Sequence, residues 1–573
     1  MAAHDNIARR HAPERPSSSP QADFPPPVPP DTRPQLGLYL LLAAAYVGGL
    51  LVPLMNNDSA HHAVIALRMY LTGDYAALVT QGHDYLDKPH LLFWLAAAGY
   101  QLLGVTTLAY KLPSLLFSVL AVYSTWRLGR LLYSPAVGRL AALVLASSLA
   151  FILANNDVRM DAVLTATIVF AIWQMAEFVE FRRARNLVLA GLGLALGFAT
   201  KGMIGVAMPG IAIFMHLAYR RDWRMLFSPA WLVLALVTAL FAAPVLFAYH
   251  QQFGADGVKF ILWSQNFERL AGERFGAAGR SDPLFFFHTF LWAFLPWSLL
   301  GAAAVWQHAG AVFRARLRPV AGGEMLTLGT IAVMFVIISS SRFKLPHYLN
   351  ILLPLFSVLL AAWLAPRMAR PTGRGVWLAQ ALVWGLLGAL AAALNGWVFP
   401  VERPAVALGA AALALVGGVL VARAAGGLPR VITASVVAAA LFHFLFSFNF
   451  YPQLLRHQAG NNLAAAVQRL GVPADAVHYL AGHGRASSFD FYTARLTPSI
   501  ELAELRASAA PVLIYTSASG RRAIEAAGLS VEVLASNPEF RVTRLNARFL
   551  DPTRRDGVLD EHFILRVSGG GGL

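Results

Sequence analysis

The chain has 573 residues, 57% of them hydrophobic and only 13% charged, with a mean hydropathy of +0.56. A soluble fold cannot hide that much apolar surface, so the composition points to a polytopic membrane protein. There is no cysteine, which excludes disulfide and thiol chemistry, and the net charge of +16 comes from short arginine clusters between apolar runs, the pattern of membrane topology rather than of nucleic-acid binding.

Residues 1–35, with "RPSSSPQADFPPPVPPDTRP", are rich in Pro and Ser and predict a disordered cytoplasmic tail. The first apolar run begins near Leu36, late for a signal peptide, and reads as a retained anchor. Runs able to span a ~30 Å hydrocarbon core follow near 37–55, 112–133, 137–154, 162–181, 187–200, 203–219, 228–249, 284–306, 324–341, 347–365, 375–398, 404–423 and 430–449. These predict about thirteen transmembrane helices. With that count, Arg9/Arg10/Arg15, Arg127/Arg130/Arg139, Arg182/Arg183/Arg185, Arg220/Arg221/Arg224, Arg314/Arg316/Arg318, Arg367/Arg370/Arg374 and Arg423/Arg430 all fall on one side. The positive-inside rule makes that side cytoplasmic, with the amino terminus inside and the carboxyl terminus outside.

The opposite side carries longer loops. In loop 56–111, "SAHHAVIALRMYLTGDY" reads as an interfacial helix, and "PHLLFWLAAAGYQLLG", bounded by Pro89 and Gly104, as a second apolar piece that does not span. A second loop covers 250–283. Hydropathy drops after Tyr451, where "VHYLAG" and "PVLIYTS" predict strands and "GRRAIEAAGL" a helix. The expected organisation is a tail at 1–35, a membrane domain at 36–450 and a periplasmic α/β domain at 451–573.

Polar residues gather at the edges of the outer loops: Asp58, His61, His62, Asp87, Lys88, Asp157, Arg159, Asp161, Lys201, Arg269, Arg274, Arg342, Lys344, His347 and Tyr348. Basic residues at a membrane edge ordinarily snorkel toward headgroups. Yet Lys88, Lys111, Lys201 and Lys259, the lysines of the first 340 residues, all fall on this side, against the topological rule. Cations placed so suggest a site for an anion, most simply a phosphate. Asp58 opens a helical run, so it is either the cap of that helix or a base beside the anion site; Asp157 and Asp161 pose the same choice after the third span.

The loop beginning with Asp58, then "DKPHLLFW", "GFATKG", "FLPW" and "RFKLPHYLNILLP", in this order, resemble the GT-C superfamily of membrane glycosyltransferases, and most closely its branch of aminoarabinose transferases and protein O-mannosyltransferase-like proteins. The resemblance covers roughly 37–450. It implies transfer of a sugar from a polyprenyl-phosphate donor to a lipid or glycan acceptor, such as lipid A, outside the cytoplasmic membrane. It also implies that Asp58 is the catalytic carboxylate and that Lys88 and the "RFKLPHY" segment bind the donor phosphate. Where the aminoarabinose transferases read Arg-Asp-Glu-x-Arg-Tyr-Ala, this chain reads "NDSAHHA", so Ser59 replaces the Glu and His61 and His62 replace the Arg and Tyr; "DKPH" replaces Glu-Lys-Pro-Pro.

Chemistry agrees with that class. A phosphate leaves readily once cations neutralise it, and Lys88, Arg159, Arg269, Arg342 and Lys344 can do so, with Tyr348 beside them. One carboxylate, Asp58 or, failing it, Asp161, can deprotonate or orient the acceptor for in-line, inverting attack. His61, His62, Asp87 and His347 are then candidates to touch sugar or acceptor. No cofactor is expected to be required. A bound divalent metal is possible through His61, His62, His83, Asp84 and Asp87, although no i, i+4 histidine pair is present. A transporter or flippase of lipid-linked sugars is the competing class; it predicts charged residues in mid-membrane and internal symmetry, and the spans here are nearly free of charge. A non-catalytic envelope subunit is a third.

Overall fold

Nineteen residues from Arg33 to Leu51 form the first apolar helix, α1, in a computed structural model that describes residues 33–264, 282–319 and 324–568. The expected tail up to residue 32, Arg269, Arg274 and half of the 250–283 loop lie outside the described residues. Beyond α1 the chain turns through α2 (Asp58–Thr72), a short antiparallel hairpin of β1 (Val79–Thr80) and β2 (His83–Asp84), and α3 (Leu91–Leu103). Thirteen residues of α3 reach only ~20 Å, too short for the bilayer, as its flanking Pro89 and Gly104 suggested.

There follow α4 (Thr107–Leu132), α5 (Pro135–Ala146), α6 (Leu149–Asn156), α7 (Asp161–Phe181), α8 (Ala184–Lys201) and α9 (Ile204–Arg220). Among the described residues, seven helices are long and apolar enough to cross a membrane, or eight if α5 and α6, bent by 51°, make one span. The thirteen apolar runs each coincide with a helix or a broken helix, but several are shorter than a full span. The 284–306 run, for example, is Phe285–Ala293 followed by Ser298–Arg314. Helix α7 is buried almost throughout, at the centre of the main apolar core. The helices Arg374–Ala392 and Pro404–Arg423 instead expose Leu378, Leu382, Leu408 and Leu415, the surface a lipid-facing helix presents. The chain is a multi-pass membrane protein.

Two boundaries differ from expectation. The 250–283 loop starts later, because the helix Ala230–Lys259 continues through a kink at Gly254, and a π-helical turn, Phe260–Ser264, extends it. The last long helix does not stop at residue 450 either: a π-helical turn, Phe446–Phe450, leads on to Tyr451–Leu454. Beyond it lies a five-stranded mixed sheet in the order β4 (Ser499–Ile500), β3 (Val477–Leu480), β5 (Val512–Ser517), β7 (Asp560–Ser568), β6 (Ser530–Glu539). Strand β3 runs parallel to β4 and β5, whereas β7 is antiparallel to β5 and β6. "VHYLAG" and "PVLIYTS" supply β3 and β5 as predicted; β6 and β7 follow stretches without clear alternation.

Candidate active site

Asp58 does not cap its helix. The cap of α2 is Asn57, whose side-chain oxygen accepts from the Ser59 N–H at 2.7 Å, and this corrects the capping alternative for Asp58. Asp58 takes the first helical position, where the helix dipole favours a carboxylate, and its side chain is 58% exposed. It faces Arg159, whose Nη1 lies 3.3 Å from Asp58 Oδ2. The same guanidinium grips Asp157 through Nε at 3.0 Å and Nη2 at 2.8 Å, and Asp157 also accepts from the Asn57 side chain at 3.0 Å. Burial works against the charge on Arg159, but Asp157, Asp58 and Asp161 outweigh it and hold Arg159 more firmly protonated than a free guanidinium.

A second cluster lies against this one. Lys201, at the last position of α8, donates to Asp161 Oδ1 at 3.1 Å and sits 4.6 Å from the centre of the Tyr348 ring. His347 Nε2 is 3.9 Å from the other Asp161 oxygen. Asp161, on the first turn of α7, is only 5% exposed, against 58% for Asp58: the two candidate carboxylates differ, one shut into an ion pair and one open. The "GFATKG" stretch explains how Lys201 gets there. Gly202 turns the chain at φ +70°, and α8 and α9 meet so closely that a Cβ on Gly205 would overlap the Gly197 backbone.

Lys88, in the irregular segment between β2 and α3, lies 2.6 Å from Asp87 Oδ2 and is 15% exposed. Asp58, Asp87 and Lys88 all act electrostatically on both histidines of α2. The histidines themselves diverge. His62 is buried against Phe93, with its Nε2 3.5 Å from the Tyr85 hydroxyl, and burial lowers its pKa to about 3, so it is neutral. His61 stays partly open beside the Tyr85 ring at 5.4 Å; burial lowers its pKa as well, with Asp58 and Asp87 opposing. Adjacent residues on a helix point about 100° apart, so His62 turns into the core while His61 stays partly open.

Two of the expected phosphate cations are placed otherwise. Lys344 donates to the Asp282 carbonyl at 2.9 Å, and Arg342 is exposed at the start of its segment; no contact joins either to the Asp58–Arg159 cluster among the described residues. Arg269 lies outside the described residues. Lys111, grouped with the anion-site lysines from sequence, is fully buried and donates to the carbonyls of Gly49, Val52 and Asn156 at 3.0, 2.7 and 2.5 Å. Its ammonium closes the carbonyl ends of α1 and α6 and ties together the two loops that carry Asp58 and Arg159. Among the described residues no three His, Asp or Glu side chains are grouped to hold a metal ion; Arg159 is the cation between Asp58 and Asp157. Sequence reading left Asn57 and Tyr85 without a role at the site, and it offered Asp157 only as a cap or a base and Lys201 only as one of the outer-face lysines.

An apolar cavity of about 490 Å³ opens between α7, α8, α9 and the helix Ala230–Lys259, lined by Met175, Phe198, Met203, Val206, Trp231 and Leu246 among others. Met203, two residues beyond Lys201 in the sequence, is among its lining residues.

A family profile described as dolichyl-phosphate-mannose-protein mannosyltransferase matches residues 87–247. An undecaprenyl phosphate-alpha-4-amino-4-deoxy-L-arabinose arabinosyl transferase of Pseudomonas aeruginosa (strain UCBPP-PA14) is 31% identical over 330 residues, covering 55% of this chain and 57% of that one. A transferase of the same description from Edwardsiella ictaluri (strain 93-146) is 27% identical over 352 residues, 58% of this chain and 60% of that one. The match thus spans less than two thirds of the length of these relatives. The crystal structure of ArnT from Cupriavidus metallidurans bound to undecaprenyl phosphate superposes with a TM-score of 0.73 over 95% of this chain and 99% of that one, at 17% identity. The chain thus shares the fold of that structure and is similar in sequence, over part of its length, to the aminoarabinose transferases.

Proposed function

We propose that the protein is a glycosyltransferase that moves a sugar from a polyprenyl-phosphate donor to a lipid or glycan acceptor of the lipid A type. It works at the outer face of the bacterial cytoplasmic membrane, with the amino terminus inside and the sheet domain in the periplasm. The observation that carries this reading is the convergence, at one end of the helix bundle, of an open carboxylate, Asp58, with Arg159, Lys88 and the Lys201–Asp161 pair. The apolar cavity beside Met203 offers room for part of a polyprenyl chain whose phosphate then lies level with Lys201 and Tyr348.

In this reading Lys88, with Arg159 and Tyr348, neutralises the phosphate as the glycosidic bond breaks. Asp58 orients the acceptor or takes its proton for attack on the opposite face of the sugar, inverting the anomeric carbon. Asp161, held by Lys201, positions that lysine rather than reacting. His61, beside Tyr85, and Asp87 border the space open to sugar and acceptor; His347 backs Asp161. Arg342 and Lys344, off this cluster, are proposed to guide the anionic headgroup toward the site, and the same role is proposed for Arg269.

Mass spectrometry of envelope glycolipids from cells with and without the gene tests the activity. A mass difference of one sugar residue that returns with the wild-type gene is expected; identical spectra would remove the transferase reading in favour of transport. Reporter fusions after Arg318 and after Gly460 test the orientation and are expected to report opposite sides, the first cytoplasmic. Both on one side would overturn it.

A further inference from the structure

We infer that the carboxy-terminal domain positions the Asp58 loop, through Gln458 and Tyr492 acting as positioning residues. The inference rests on the reading of Asp58 given above. Residues 52–57 leave α1 and must place Asp58 without regular structure of their own, so their backbone groups need partners from elsewhere. Below, Lys111 holds the Val52 carbonyl. Above, the partners come from about 400 residues further along the chain. The Tyr492 hydroxyl accepts from the Leu54 N–H at 2.8 Å. The Gln458 side chain bridges two residues, accepting from the Asn56 N–H at 2.6 Å and donating to the Leu54 carbonyl at 2.9 Å. Asn461 adds a longer contact to the same carbonyl at 3.3 Å, and Asn56 Oδ1 in turn accepts from the Ser488 N–H at 3.3 Å.

Gln458 is fully buried, and its orientation is fixed by the Asn461 side-chain oxygen at 2.7 Å. Tyr492 is fixed by Thr107 at 3.0 Å, at the start of α4. Among the described residues neither side chain contacts Asp58 itself; both act two to four residues upstream, on the stretch of chain that sets where Asn57 caps α2 and hence where Asp58 projects. Displacement of a reacting group by about an ångström can slow a reaction a hundredfold. The donor phosphate, by contrast, is assigned to groups that this clamp does not touch.

The test uses the full-length protein purified in detergent. Gln458→Leu keeps the side chain's bulk and removes both bonds; Tyr492→Phe removes one hydroxyl and is the milder change if the first variant folds poorly. Undecaprenyl phosphate binding and thermal melting are measured beside single-turnover transfer of the sugar identified by mass spectrometry. The expected result is transfer slowed about tenfold or more, undecaprenyl phosphate affinity within about twofold of wild type, and no further slowing when either change is added to Asp58→Asn. Equal losses in the wild-type and Asp58→Asn backgrounds would mean that the clamp acts otherwise than through Asp58, and the inference falls. Full activity of both variants beside an inactive Asp58→Asn protein overturns the positioning role alone, whereas full activity of Asp58→Asn removes the reading of Asp58 on which it stands.

Discussion

Replacing Asp58 with Asn is expected to slow sugar transfer at least about a hundredfold, the range that a positioned acid–base group supplies, while leaving the fold nearly untouched. The structure separates these effects because the cap of α2 is Asn57, not Asp58. The change removes one favourable charge from the first helical turn, worth roughly 0.3–1 kcal/mol. It also removes an exposed ion pair with Arg159 at 3.3 Å, of a kind that contributes roughly 0–1 kcal/mol. Arg159 keeps its two closer bonds to Asp157, so no buried cation is left stranded. A melting temperature close to wild type, together with transfer reduced a hundredfold in purified protein, is the signature of a reacting carboxylate. Near-normal turnover would take Asp58 out of the site and turn attention to Asp161, although its burial and its bonds to Lys201 make it the worse candidate for meeting an acceptor.

Two lysine motifs show what the sequence could and could not disclose. "DKPHLLFW" and "YKLPSLLF" read alike: a lysine, a proline one or two residues on, then an apolar run. In the fold they do opposite things. Lys88 sits in an irregular stretch, partly open and paired with its neighbour Asp87, whereas Lys111 lies within the first turns of α4, where the carbonyl ends of α1 and α6 close around it. Local sequence sets the backbone each lysine sits on but not which helix ends arrive from 45 or 62 residues away. The same limit applies to Gln458 and Tyr492, whose partners are some 400 residues distant. What was legible is what repeats along the chain: apolar runs, which coincide with the helices, and the order of the five motifs, which carried the GT-C resemblance that the fold comparison supports. Histidine orientation was legible only in part, because a helical period predicts that His61 and His62 diverge but not which of them meets Phe93.

Lys88→Ala is expected to weaken both donor phosphate binding and transfer by about ten- to a hundredfold. A lone ammonium serving as a lipid anchor would sit in the headgroup region without a fixed geometry. Lys88 instead is held: Pro89 stiffens the segment behind it, Asp87 contacts it at 2.6 Å, and only 15% of its side chain is exposed. A charge-assisted hydrogen bond of this type contributes roughly 1.5–3 kcal/mol, which corresponds to about ten- to a hundredfold in affinity. The variant removes the Lys88 ammonium from Asp87, but Asp87 is more than a third exposed and can be rehydrated, so the fold should tolerate the loss. Lys88→Arg is expected to recover only part of the activity, since a planar guanidinium cannot occupy the place of a compact ammonium without shifting the phosphate. Titration with undecaprenyl phosphate, repeated at raised salt, reads the effect directly: the wild type should lose affinity as salt screens the ammonium, and Lys88→Ala should lose less. A Lys88→Ala protein that inserts normally, binds undecaprenyl phosphate as the wild type does and transfers sugar at full rate would show that the phosphate is held elsewhere, with Arg159 and Lys201 the next cations to vary.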